Sequence, residues 1–155
     1  MAEKNYTYGI KVADAPKIHK LGVIRYNESQ IDTYAEMTPF VRKNRLMRVE
    51  TVWPPAGLAY FIIRDVERGD AGAPFALNTC FSCAYCEGDT VYVFGTTYLN
   101  GNAGGESVMM FWSDDLVNWQ QRAVLTLPGR TLFNTSVCKG PGGYKMAIET
   151  GEPPE

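Results

Sequence analysis

The chain has 155 residues, with 15 Lys+Arg against 17 Asp+Glu, a formal net charge of −2 and a single histidine, His19. That balance offers no basic excess to a phosphate backbone and excludes nucleic acid as an expected partner. One histidine excludes multi-histidine metal sites. With 45% apolar, 21% charged and 12% aromatic residues, the composition is that of a globular domain rather than a disordered segment. The longest apolar run, Leu58–Ile63, is six residues, against about twenty for a membrane-spanning helix, so no membrane partner is expected. The polar start Met1–Tyr6 does not read as a signal peptide. This fits a cytoplasmic protein, or a secreted or periplasmic one whose leader has been removed.

In chain order, the first patterned segment is Tyr34–Val49, where Tyr34, Met37, Phe40 and Val41 fall at helical spacing. Pro39 lies inside it and argues against a helix. The following segments are rich in Val, Ile, Tyr, Phe and Thr and predict strands over Leu46–Trp53, Leu58–Asp65, Thr90–Tyr98, Ser107–Ser113, Leu132–Cys138 and Gly143–Glu149. Turn residues separate them, notably Pro54-Pro55-Ala56-Gly57, Glu87-Gly88-Asp89, Asn100-Gly101-Asn102 and Gly140-Pro141-Gly142-Gly143. The expected class is all-β.

A repeat runs through these strands. Arg42–Thr51, Glu87–Thr96 and Gly142–Thr150 each place a turn before an apolar strand that ends in a similar step. Glu50 and Gly95 are 45 residues apart, and Gly95 and Glu149 are 54 apart. Periods of that size, with about four strands each, are those of propeller blades.

The segment Ser113-Asp114-Asp115-Leu116-Val117-Asn118-Trp119 follows the strand Val108–Trp112. It resembles the Ser-x-Asp-Leu-x-x-Trp step that links the third and fourth strands of a blade in five-bladed β-propeller glycoside hydrolases. These are the arabinanase and β-xylosidase type (family 43) and related glycosidase-like propellers. Ser and Asp oxygens would accept hydrogen bonds from the turn's amides, and the Trp ring would pack between blades. Thr38-Pro39, Phe133–Val137 and Gly143–Glu149 add to the likeness, which covers residues 36–150. It implies an incomplete propeller of four-stranded antiparallel blades, about two and a half of an expected five. Blade one would span 36–70, blade two 78–126 and the start of blade three 131–150. The resemblance further implies an amino-terminal part of a protein about twice as long, open to self-association if truncated.

The resemblance also implies an oligo- or polysaccharide as partner and glycosidic hydrolysis by carboxylate acid–base chemistry, with no cofactor and no metal. In the family, three carboxylates stand where the innermost strands of blades one, two and three begin. The corresponding places here are near Thr38, Ser82 and Asn134, none of them acidic. The acids that recur are Glu50 and Glu149, at the ends of matching strands, and Glu36, two residues before Thr38. All three are candidate catalytic groups, because hydrolysis needs one carboxyl to donate a proton and another to activate water. Arg48 shares a strand face with Glu50 and could hold one carboxylate ionised. With Trp53, Tyr98 and Asn134 it makes the candidate sugar-binding set.

Two alternatives stand beside hydrolysis. One is a sugar-binding propeller without catalysis, favoured by the missing acids. The other is a cysteine-ligated metal module built from Cys80, Cys83, Cys86 and Cys138. If the first three lie on a strand, Cys83 points away from Cys80 and Cys86, and buried thiols are the simpler reading. A Cys86–Cys138 disulfide would need an oxidising compartment.

Overall fold

A computed structural model describes residues 33–54, 57–98 and 104–151. Among them there is no helix, and nine strands form three antiparallel sheets that follow one another in chain order. Sheet one is β1 (Thr33–Arg42), β2 (Arg45–Trp53) and β3 (Tyr60–Asp65). Sheet two is β4 (Thr79–Glu87), β5 (Thr90–Thr97), β6 (Ser107–Ser113) and β7 (Gln120–Thr126). Sheet three is β8 (Thr131–Gly140) and β9 (Gly143–Gly151). Each sheet is a simple meander, and none closes into a barrel. The molecule is all-β with a propeller-like succession of sheets.

The stretch around Pro39 is strand throughout. Pro39 lies in β1, which pairs only with β2, so the ring removes no ladder bond from an interior strand. Helical spacing at Tyr34–Val41 is overridden by a two-residue turn, Lys43-Asn44, whose φ angles of 49° and 58° are those of a hairpin turn twisted to match the strands. The cysteine-rich segment is likewise a strand, β4.

Two apolar layers hold the sheets together. Val49, Phe61 and Ile63 of sheet one meet Val91, Val93 and Phe111 of sheet two, with Phe75 between them. Phe94 and Val108 on the other face of sheet two meet Leu132 of sheet three. The alternation of strand side chains makes this possible: Val91 and Val93 face one way while Tyr92 and Phe94 face the other. The outer edge of β3 is covered by residues 71–75, which bridge it at Arg64–Ala71 and Phe61–Phe75. Phe75 then stacks on Trp119 with ring centroids 3.8 Å apart and planes 4° from parallel.

The turn before Trp119 is built as the sequence motif requires. Ser113 Oγ accepts the N–H groups of Asp115 and Leu116, and Asp115 Oδ1 accepts those of Val117 and Asn118 at 2.8 Å each. Those bonds hold the Asp115 carboxyl far below the usual carboxylate range.

The first hairpin of every sheet turns at one common end, where polar contacts join neighbouring sheets. Arg42 donates to the carbonyl oxygens of Asp89 and Asp114, and Glu87 accepts from Lys139 and Tyr144.

Candidate functional site

At the opposite end, the innermost strand of each sheet bulges. In β1, Ala35 pairs with Thr51 and Met37 with Glu50, leaving Glu36 as the extra residue at φ 53°. In β4, Phe81 and Ser82 stand opposite the single residue Gly95, with Phe81 at φ 59°. In β8, Phe133 and Asn134 stand opposite Glu149. A bulge re-aims the side chain it carries, and here three bulges present Glu36, Phe81–Ser82 and Phe133–Asn134. The sequence places near Ser82 and Asn134 therefore fall within bulges. In sheet one the bulge lies two residues before Thr38, on an acid.

Glu36 is half-buried, and one of its carboxyl oxygens is fully buried with no hydrogen-bond partner among the described residues. Burial pushes its pKa up to about 7. The Phe81 N–H, bonded to the carboxyl, works against that rise, and the nearby charge of Glu149 adds to it. Glu149 is exposed and accepts a hydrogen bond from Asn134 Nδ2 at 2.9 Å, which fixes the orientation of its carboxylate. Glu36 and Glu149, candidates from the first and third sheets, are thus brought within electrostatic reach of each other.

Hydroxyl groups weld the bulges of sheets one and two. Thr38 Oγ1 donates to the Ser82 carbonyl at 2.9 Å, Thr51 Oγ1 to Ser82 Oγ at 3.1 Å, and Ser82 Oγ to the Glu36 carbonyl at 3.2 Å. Between sheets two and three the rings of Phe81 and Phe133 meet edge to face at 5.6 Å. Close approach at this end depends on glycine. A Cβ at Gly95 would lie 2.5 Å from Phe61 Cζ and 2.7 Å from Thr79 Cγ2.

Glu50 has a different setting. It is 1% exposed and accepts from Arg48 Nε at 2.5 Å and from Arg64 Nε and Nη2 at 2.9 and 3.1 Å. Two half-buried guanidinium groups together engage both of its oxygens. The residue is a structural ion-pair centre, and Arg48 serves it rather than an open cleft. Trp53 and Tyr98 meet edge to face at 5.4 Å, joining the ends of sheets one and two. Asn134, in the sheet-three bulge, donates to Glu149.

The cysteines do not assemble. Cys80 and Cys83 are buried, Cys86 is half-buried and Cys138 is exposed, all as free thiols. Cys86 packs on the core between sheets one and two, while the Cys83 thiol meets the Val137 backbone of sheet three. Burial raises the pKa of Cys80, Cys83 and Cys86, which keeps them protonated rather than as ligating thiolates. Among the described residues no three His, Cys, Asp or Glu side chains gather as a metal site. His19 lies outside the described residues.

Phe81 is the site residue that sequence reasoning misses, its one signal being adjacency to Ser82, whereas Phe133 is legible as an aromatic beside Asn134 in a propeller-like segment. Comparison with protein-family models, with curated proteins and with solved structures returns no match.

Proposed function

We propose that the chain carries the acid–base half of a carbohydrate-active site, with Glu36 as proton donor and Glu149 as the ionised partner. The observation that carries this reading is the Glu36 carboxyl, with a buried, unpartnered oxygen and a pKa near 7 beside a second carboxylate. Two carboxyl groups whose environments differ are the pair glycosidic hydrolysis needs. Protonated Glu36 transfers its proton to the departing glycosidic oxygen. Glu149, held by Asn134, takes a proton from the attacking water, and the two protons balance over the cycle. Phe81 and Phe133 supply apolar ring edges and faces for the hydrophobic side of a sugar.

A panel of chromogenic aryl glycosides tests the assignment. Glu36→Gln should lower kcat by about 10²–10⁴-fold, and the wild-type pH profile should lose activity on a limb near pH 7 as Glu36 deprotonates. Turnover unchanged by Glu36→Gln would remove Glu36 from the chemistry. A second reading, sugar binding without hydrolysis, is favoured by Phe81 and Ser82 standing at the sheet-two bulge where the family pattern wants a carboxylate. Saturable binding on a glycan array with no turnover of any aryl glycoside would select it.

A further inference from the structure

Glu36 stands at a left-handed φ of 53°, a conformation that a residue with a Cβ keeps only where its surroundings over-determine it. Sheet two supplies those surroundings. The Phe81 N–H bonds to the Glu36 carboxyl, and one residue further on the Ser82 hydroxyl donates to the Glu36 carbonyl at 3.2 Å. Two consecutive residues of one bulge therefore grip Glu36 by its side chain and by its backbone.

The Ser82 hydroxyl is itself directed. The Ser82 N–H donates to Thr51 Oγ1 at 3.4 Å, and Thr51 Oγ1 donates in turn to Ser82 Oγ at 3.1 Å. That leaves the Ser82 proton for the Glu36 carbonyl. Thr51 and Ser82 are both buried, where an unmade hydrogen bond costs more than at the surface. The relay is not a by-product of the repeat. Thr96 holds the place in sheet two that Thr51 holds in sheet one, opposite the residue before the bulge. Its hydroxyl meets Cys80 Sγ at 3.6 Å instead, within its own sheet. Asn134, at the place of Ser82 in sheet three, donates to Glu149.

We propose that Thr51 and Ser82 are positioning residues for Glu36: their hydroxyls hold its backbone in the left-handed bulge that sets the carboxyl against the Phe81 N–H. The proposal rests on the reading of Glu36 as proton donor. Without the relay, Glu36 relaxes to a negative φ and its carboxyl swings toward solvent. Two influences are then lost together, the burial that raises its pKa and the Phe81 bond that lowers it. Burial is the larger, so the carboxyl returns toward its ordinary 4.5. The titratable groups around it are Glu149 of β9, whose charge adds to the rise, and the Cys80 thiol of β4, within electrostatic reach of Glu36. Glu50, opposite the bulge on β2, is engaged by Arg48 and Arg64.

Carbon-13 titration of the Glu36 carboxyl in the full chain tests this without any turnover, the signal being assigned by its absence in Glu36→Gln. The wild-type midpoint should lie at about 7. Thr51→Val, which keeps the shape and deletes the hydroxyl, should lower it by at least about one pH unit, while Thr51→Ser, which keeps the hydroxyl, should hold it within about 0.3. Ser82→Ala removes the last link of the relay and should match Thr51→Val; it supplies the reading if Thr51→Val does not fold. Thr38→Val is the control. It deletes a bond between the same two sheets, to the Ser82 carbonyl, and should lower stability without moving the midpoint. A midpoint unmoved in both Thr51→Val and Ser82→Ala overturns the proposal and leaves the proton-donor reading standing. An equal fall in Thr38→Val also overturns it, by reducing the hydroxyls to general stability. Full turnover of aryl glycosides by Glu36→Gln overturns the proton-donor reading instead, and the titrations still decide the positioning.

Discussion

Glu36 joins two uncommon conditions, a left-handed backbone in a non-glycine residue and a buried carboxyl oxygen without a partner. Their common cause is the bulge, which turns the side chain inward and holds the Phe81 N–H against it. Its consequence for stability has a definite sign. An unfolded Glu titrates near 4.5 and Glu36 in the fold near 7, so between those values the native state holds the extra proton. Stability from this group is full below pH 4.5 and is lost as pH rises through 7. Urea unfolding should therefore show wild type weakening from pH 5 to pH 8, with Glu36→Gln flatter. At pH 8 the variant should be the more stable by about 1–2 kcal/mol, allowing for the side chain's partial exposure. A wild-type curve independent of pH across that range would refute the burial of this carboxyl. Little of this is legible in the sequence. Glu36 is visible there as an acid two residues before Thr38, but which residue of a strand bulges is set by pairing with β2, a register that local pattern does not contain.

At the scale of elements, legibility varies with how local the cause is. The Ser113–Trp119 turn could be read in advance because its bonds run between residues at most three apart, and the structure forms them. The strands β2, β5, β6 and β9 were legible from alternation and β-branched content. β1 was obscured by a chance helical spacing, and β4 by its cysteines, since thiols carry a metal-site signal as well as a packing one. Gly95 was legible only as a repeat position. In the fold it lies under the Phe61 ring, with no room for a methyl group. Gly95→Ala should cost about 2–4 kcal/mol in chemical denaturation, because Phe61 is fully buried among Phe75 and Phe111 and cannot retreat. A loss below about 0.5 kcal/mol would mean that the two sheets are less tightly joined there.

Over the whole molecule, stability is graded along the chain. Sheets one and two share a layer of nine buried residues, whereas sheets two and three share three. Most of β9 is exposed. Native-state hydrogen exchange should rank the amides accordingly: Val91 and Val93 slowest, and β9 faster by at least about a hundredfold. Equal protection in β5 and β9 would show that the three sheets open as one unit. This grading explains why the sequence alone spoke clearly of the class and weakly of the site. The repeat that marks the sheets is carried by strand interiors, while the candidate site is assembled from three bulges 45 or more residues apart in the chain.

The segregation of turns and bulges to opposite ends has a practical consequence. Gly88 and Gly142, in the first hairpin turns of sheets two and three, have nothing within 4 Å of an added Cβ. Gly95 and Gly151, at the bulge end, would collide with Phe61 and Phe133. The chain thus has a permissive pole and a forbidding one. A spectroscopic label, an affinity handle or an entire inserted domain can be spliced at the Pro141-Gly142 turn, a strand's length from Glu36 and Glu149. The same insertion made beside the bulges would drive the sheets apart. Immobilised through that turn, the protein would turn its bulge end toward whatever is passed over it.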